Sequence, residues 1–407
     1  MNKMNTMHTI VCISSYYKGS DFMRQCKALG NTVYLITSES LKNDPWPWDS
    51  IDEVFYMEET EPFKWNLDHL ILGMAHLMKS VKVDRVVALD DFDVEKAAFV
   101  RENFRIPGMG QTTHRYFRDK LAMRIKARDE KITVPAFTAI FNDKEVNEYA
   151  GKVAPPWVLK PRSEASASGI IKIHSKEELW EKINALGEER YRFLLEQFRP
   201  GKVYHVDALV AEGKVIFTSS SRYLDPPMAV SHEGGVFRTM TLNPESEDAK
   251  ALKKHNTELL AKFGLQSGAS HSEFIKDNES GNWYFLETSS RVGGAYISDM
   301  VEVSSGINLW KEWANIENKI LEGKAYKLPH SEYKSAGLLV SLAKDKHPDT
   351  SMYNDSEIIK TLKKDYHIGF VFQTANEKDT ESKLDEFAAI VTEKYLNILP
   401  PSDKPTN

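Results

Sequence analysis

The chain has 407 residues, 41% hydrophobic and 28% charged, which is the composition of a soluble globular protein built on two or three cores. Its formal net charge of −6, with no long Lys/Arg run, excludes the electrostatic footprint of a nucleic-acid or anionic-membrane binder and leaves small molecules as the expected partners. Two cysteines, Cys12 and Cys26, exclude a disulfide scaffold, a zinc site or a cysteine nucleophile, and both fall among apolar neighbours as buried thiols.

No apolar run reaches membrane-span length, and the opening Met1-Asn-Lys-Met-Asn-Thr-Met-His8 lacks the apolar stretch of a signal peptide. The expected location is the cytoplasm. No internal repeat is visible.

From Thr9 to about Gly110 strand and helix alternate: Thr9–Ser14, Ser20–Leu29, Thr32–Thr37, Val54–Met57, Leu67–Lys79, Arg85–Leu89 and Val94–Asn103. Such alternation predicts a parallel, doubly wound sheet. The first strand-to-helix turn, Ser14-Ser-Tyr-Tyr-Lys-Gly-Ser20, is not the glycine-rich dinucleotide turn. The acidic cluster Asp90, Asp91, Asp93 and Glu95 is explained by the preference of acids for a helix start.

Pro107-Gly-Met-Gly110 marks a boundary. Thr112 or Thr113 is expected to cap a helix running to about Arg128, with Phe117, Leu121 and Ile125 on its apolar face. Strands at Trp157–Lys160 and Ile170–His174 flank the loop Pro161-Arg-Ser-Glu-Ala-Ser-Ala-Ser-Gly169, and the helix Lys176–Leu186 and strand Phe193–Phe198 follow. Val203–Val210 and Val215–Ser219 form a hairpin turned by Glu212-Gly213. Beyond a helix at Leu309–Leu321, strands at Gly337–Leu342 and Gly369–Gln373 and an amphipathic helix through Leu384, Phe387, Val391 and Tyr395 make a small α+β module.

The most informative stretch is Ser270-His-Ser-Glu-Phe-Ile-Lys276 and Trp283-Tyr-Phe-Leu-Glu-Thr-Ser-Ser-Arg291, two strands around the turn-formers Asp277-Asn-Glu-Ser-Gly-Asn282. Folded symmetrically, this hairpin sets Glu273 directly opposite Glu287. Like charges across a strand pair destabilise it unless something positive lies between them, and a hard divalent cation with oxygen ligands meets that need. By the period of two, His271, Ser289 and Arg291 share the face.

Asp119-Lys120, Val158-Leu-Lys-Pro161, Leu195-Glu-Gln-Phe198, His271-Ser-Glu-Phe274 and Leu286-Glu-Thr-Ser-Ser-Arg291, in that order, resemble the motif series of the ATP-grasp superfamily. The resemblance is to its biotin-carboxylase-like branch, and within it to L-amino-acid (dipeptide) ligases and carnosine-synthase-like carboxylate–amine ligases. It implies an α/β and α+β fold: a Rossmann-like N-terminal domain over residues 1–111, a small ATP-grasp subdomain with linker helices over 112–200, a large subdomain bearing the metal and catalytic site over 201–325, and a small α+β lid over 326–407.

Carried onto this chain, the resemblance implies ATP and Mg²⁺, with Mn²⁺ able to substitute. Lys120 and Lys160 become phosphate clamps, and the loop with Ser166, Ser168 and Gly169 closes over the triphosphate through backbone N–H groups and hydroxyls. Glu196, Gln197, Phe198 and Arg199 form the hinge that reads adenine. Where the family often has a ribose-binding glutamate this chain has Val203, so His205 or Asp207 is the expected substitute. Glu273 and Glu287 become metal ligands, and Ser289 stands where the family usually has asparagine. Arg291 becomes the catalytic residue. His232 and Gly234, with His271, Gly293 and Gly294, belong to the substrate side.

The implied activity is amide or peptide bond formation between a small carboxylate and an amine through an acyl phosphate, releasing ADP and phosphate, with a homodimer as the base-rate expectation for such enzymes. The alternatives are a biotin-carboxylase-like enzyme using carboxyphosphate and a non-catalytic ATP-binding module. Arg291-Val-Gly-Gly294 lacks the Glu-His pair that biotin carboxylases carry after this arginine, which favours the ligase.

Overall fold

In a computed structural model of the chain, residues 7–61, 64–164, 169–227, 230 and 235–397 are described. Strands β1 (Thr9–Ser14), β2 (Thr32–Ser38), β3 (Glu53–Met57) and β6 (Arg85–Ala88) form a parallel sheet in the order β3-β2-β1-β6. The short strands β4 (Glu59–Glu61) and β5 (Lys64–Trp65) pair separately. Helix α1 (Ser20–Ala28) connects β1 to β2, α2 (Leu67–Leu77) leads into β6 and α3 (Val94–Phe104) follows it, so the predicted alternation is observed. Strands Thr9–Ser14 and Arg85–Ala88 are almost wholly buried, as parallel strands covered on both faces must be.

Next come α4 (Gln111–His114) and α5 (Lys120–Asp129). The single helix expected from Thr112 to Arg128 is therefore broken. Arg118 leaves helical geometry at φ −137°, and the Asp119 side chain accepts hydrogen bonds from the Leu121 and Ala122 N–H groups as cap of a new helix. Thr112 and Thr113 lie inside α4 and cap nothing. The break rotates Ile125 outward to 40% exposure while Phe117 and Leu121 stay buried.

A four-stranded antiparallel sheet follows, in the order β7-β10-β8-β9, from β7 (Phe137–Ala139), β8 (Trp157–Pro161), β9 (Ile171–Ile173) and β10 (Phe193–Gln197), with α6 (Asp143–Lys152) and α7 (Lys176–Leu186) packed on it.

The largest sheet has eight strands: β11 (Gly201–Ala211), β12 (Lys214–Tyr223), β13 (Phe237–Thr241), β14 (Gly268–Asp277), β15 (Trp283–Ser289), β16 (Ser335–Leu342), β17 (Ile358–Thr361) and β18 (His367–Thr374). Their order is β15-β14-β11-β12-β13-β16-β18-β17, so the C-terminal strands continue the central sheet through β13–β16 pairing. Glu212 and Gly213 both take positive φ, 49° and 74°, as a tight hairpin turn between β11 and β12 requires. Helices α8 (Glu247–Phe263), α9 (Ile297–Ser305), α10 (Leu309–Leu321) and α11 (Glu377–Lys394) pack around this sheet. Strand β13 and helix α8 were not legible as elements in the sequence. No helix among the described residues is long and apolar enough to cross a membrane.

Two apolar clusters hold the site in place. One joins Phe22, Met23 and Cys26 of α1 to Trp313 and Ile316 of α10 and to Leu338 and Val371 of the long sheet. It ties the parallel sheet to the central one, and polar bridges from Asn31 to Asn318 at 2.9 Å and Arg85 to Glu317 at 3.2 Å fix the register. Cys12 and Cys26 are both buried in it, as expected.

The second cluster lies behind the metal-face hairpin, where Phe263 of α8 meets Phe117 at 6.0 Å and Phe285 of β15 at 5.6 Å between ring centroids. Such edge contacts add to burial. Phe263→Ala is therefore expected to lower unfolding stability by about 3–5 kcal/mol, read from urea or thermal unfolding. A loss below about 1 kcal/mol would show that this cluster does not support the hairpin.

Candidate functional site

The two antiparallel sheets and the end of the parallel one enclose a cleft of about 680 Å³, within the usual range for a small-molecule site. Each sheet supplies charged side chains to it.

The β14–β15 hairpin has the register expected from its turn: Glu273 pairs with Glu287 and His271 with Ser289. The register slips between Glu273 and Phe274, so the Leu286–Glu287 segment bulges and Leu286, Glu287, Thr288 and Ser289 all line the cleft. The Glu287 carboxylate lies 2.9 Å from Lys120 Nζ. Burial opposes its ionisation, but Lys120 holds the carboxyl below its usual range. Glu273 accepts a hydrogen bond from the Tyr223 hydroxyl at 2.7 Å and lies 3.6 Å from His271 Nε2. Two opposed carboxylates on a rigid strand pair form a hard-oxygen donor set that fits Mg²⁺, which takes one or two carboxylates and completes its shell with water and phosphate.

Lys120 is the first residue of α5, placed by its capping neighbour Asp119, which is itself gripped by the Arg162 guanidinium. Its Nζ also donates to the Glu164 carbonyl at 2.6 Å, at the edge of the loop that follows β8. Lys160, on β8, is buried and paired with Glu196 of β10, whose other oxygen accepts from Arg124 Nε at 2.9 Å. Burial lowers the Lys160 pKa to about 8 against the opposing pull of Glu196.

The Glu196 side chain thus serves Lys160 and Arg124. In the hinge, the Gln197 and Phe198 N–H groups already donate to the carbonyls of Ala136 and Pro156. Gln197, Phe198 and Arg199 line the cleft with Val158 and Ile170, and Gly169, at φ 68°, closes against Pro161.

His205 does not reach the cleft. It is fully buried, with Nδ1 at 2.8 Å from Asp207 and Nε2 at 2.8 Å from Thr239 Oγ1, which leaves no ring atom for a ribose hydroxyl. Asp207 is buried too, and its second oxygen meets His271 Nδ1 at 2.9 Å. Burial works against a proton on His271, yet Asp207 pushes its pKa up to about 9. Gly293 is required here by close approach: a Cβ would sit 2.6 Å from Asp207 Oδ1. Gly294 also lines the cleft, and the next two residues, Ala295 and Tyr296, take left-handed φ of 49° and 62°, a strained entry to α9. Ser166, Ser168, His232 and Gly234 lie outside the described residues.

Arg291, just past β15, lines the cleft and is bound by Asp91, whose Oδ2 accepts from Nε at 2.8 Å and Nη2 at 2.5 Å. Asp91 was read only as helix-start chemistry. That explanation suits Asp90, whose side chain caps the turn, while Asp91 turns into the cleft from the carboxyl end of β6. The position was a usable signal, because doubly wound sheets place ligands beyond the carboxyl ends of their strands. Arg124 was also missed, although it follows Lys120 at the helical spacing that shares a face. Tyr223 left no signal in the sequence.

Because Lys160 loses its proton as pH rises through about 8, affinity for metal-free ADP is expected to fall about tenfold from about pH 7 to about pH 9. Calorimetry on wild type and on Lys160→Met, where the slope disappears, checks this. A flat wild-type profile would remove Lys160 from the phosphate contacts.

The ATP-grasp domain family matches residues 153–299, a span that holds Lys160, the hinge, Glu273, Glu287 and Arg291. An L-arginine-specific L-amino acid ligase of Bacillus subtilis is 28% identical over 250 residues, and the match spans 60% of this chain and 60% of that relative's length. Among solved structures, the L-amino acid ligase of Bacillus licheniformis superimposes with a TM-score of 0.73 at 17% identity, covering 96% of this chain and 98% of that one. N5-carboxyaminoimidazole synthetase of Staphylococcus aureus, complexed with ADP, gives a TM-score of 0.72 at 14% identity over 95% of this chain and 98% of that one. The biotin carboxylase domain of Hydrogenobacter thermophilus 2-oxoglutarate carboxylase gives 0.72 at 16% identity over 96% of this chain and 90% of that one. The chain thus matches the ATP-grasp domain family over residues 153–299 and shares the fold of these solved structures along nearly its whole length.

Proposed function

We propose that the protein is an ATP-dependent carboxylate–amine ligase that forms an amide or peptide bond, with an amino acid as one substrate, in the cytoplasm. The observation that carries this reading is the segment Arg291-Val-Gly-Gly294, where Gly293 packs against Asp207 and His271 and no carboxylate base for bicarbonate follows the arginine. The B. subtilis relative, an amino acid ligase by name, supports it.

A carboxylate does not form an amide at neutral pH, because its oxygen is too poor a leaving group. Transfer of the ATP γ-phosphoryl to a carboxylate oxygen breaks the bond to ADP and makes an acyl phosphate. The amine lone pair then attacks the carbonyl carbon, phosphate departs with the bonding electrons, and the nitrogen gives up a proton.

Lys120 and Lys160 offset the repulsion among phosphate oxygens as point charges. Glu273 and Glu287 would hold Mg²⁺, or Mn²⁺ in its place, which when bound neutralises charge on the phosphates. Ser289, two pairs along from Glu287 on the same strand face, is a neutral oxygen available to the same site. Arg291 presents a planar donor array to the acid and to the charge that develops on the transferring group. Val203 offers ribose only an apolar wall, so the sugar hydroxyls are left to the hinge end of the cleft. The glycines after Arg291 let the substrate approach the backbone.

A phosphate-release screen over pairs of acids and amines tests the reading. Wild type is expected to release ADP and phosphate only when both partners are present, and Glu287→Gln and Arg291→Ala are each expected to lose at least about 100-fold in kcat while still unfolding cooperatively. AMP and pyrophosphate as products, or bicarbonate-dependent ADP release without an amine, would overturn it. Full activity in Glu287→Gln would remove the metal assignment.

A further inference from the structure

Among the described residues, Asp91 is the one acid that the parallel-sheet domain sends into the cleft, and its hydrogen bonding is lopsided. Both guanidinium contacts from Arg291 land on Oδ2, while Oδ1 is buried and meets no hydrogen-bond partner at normal geometry among the described residues, the one neutral side-chain donor beside the carboxyl being the Ser289 hydroxyl. An orphaned carboxylate oxygen in a residue only 5% exposed is costly unless a donor arrives to meet it.

The neighbouring charges say what kind of donor. Burial works against ionisation of Asp91, but Arg291 and Arg118 hold it well below the usual carboxylate range, so it presents a fixed negative charge. Arg291 spends three N–H groups, two on Asp91 and one on the Val292 carbonyl at 3.0 Å, out of the five a guanidinium carries. The remaining two are available to an anion beside that orphaned oxygen. A ligand that satisfies both must carry an anionic and a cationic group close together, because the two receptor side chains are in direct contact.

We propose that Asp91 is a specificity-determining residue, its Oδ1 accepting the α-ammonium group of an α-amino acid whose carboxylate faces Arg291. This rests on the ligase reading for its consequence, namely that the acid activated by phosphorylation is an α-amino acid rather than a simple carboxylic acid. The selectivity follows from an unpaired buried charge: a ligand lacking the ammonium leaves Oδ1 unsatisfied, and sites built on a buried polar partner reject such analogues strongly.

Calorimetric titration of the full chain with ADP and Mg²⁺ present, using L-amino acids and their deaminated counterparts as ligands, tests this. Wild type is expected to bind at least one α-amino acid about 10-fold or more tightly than the matching deaminated acid. Asp91→Asn keeps an acceptor oxygen for Arg291, so it is expected to lose that preference, its affinity for the α-amino acid falling about 10-fold relative to its affinity for the deaminated acid. Equal weakening of both acids in Asp91→Asn would make Asp91 only the counter-ion of Arg291 and overturn the assignment, as would wild-type binding without preference, or no binding of any α-amino acid. Preference for α-amino acids with no phosphate release from any acid–amine pair would sink the ligase reading while upholding Asp91 as the ammonium receptor.

Discussion

Charge compensation across elements is the constraint on which the cleft depends. Three of its acids meet a base carried by a different part of the chain: Glu287 of β15 meets Lys120 of α5, Glu196 of β10 meets Lys160 of β8 and Arg124 of α5, and Asp91 after β6 meets Arg291 after β15. Buried ion pairs return little net stability because desolvation offsets their attraction. Their concentration in one cleft is therefore a mark of function, and it holds side chains in the ionisation states that polyphosphate and metal recognition require.

Beside the metal-face glutamates lies a second, buried layer. Thr239, His205, Asp207 and His271 form a chain of hydrogen bonds across β13, β11 and β14. Asp207 fixes His271 from below, and His271 and Tyr223 flank Glu273. A network whose members are all paired rigidifies the strands that carry it. Gly293 belongs to the same layer, since any side chain there would collide with Asp207. The glycine after the arginine thus has a packing reason independent of substrate access.

The apolar clusters explain how the separate sheets hold these charges together. Trp313 of α10 packs edge-on against Phe22 of α1 at 5.2 Å, which locks the parallel sheet against the central one and brings the end of β6 over Arg291. Phe117, Phe263 and Phe285 lock α5 behind β15, setting Lys120 against Glu287. Dense packing of this kind transmits position because interiors have few voids to absorb a shift.

Patterns local in sequence were legible: the alternation of the first domain, the two thiols in apolar surroundings, the hairpin turn that sets Glu273 against Glu287, and Lys160 ending an apolar strand. The motif order also pointed to the superfamily. Pairings between residues far apart in the chain were not legible. Periodicity put Phe117 and Ile125 on one helix, but a capping aspartate gripped by distant Arg162 restarts that helix at Lys120. The family resemblance offered His205 to a ribose, whereas Asp207 and Thr239 bury it. The preference of acids for a helix start accounted for Asp91, although its partner Arg291 lies 200 residues away. The sequence by itself determined which residues could carry the chemistry and which strand faces they share, because side-chain alternation and turn chemistry act over a few residues. Only the tertiary structure decided which charges meet, because that depends on how packed sheets approach one another and on which groups burial leaves without water.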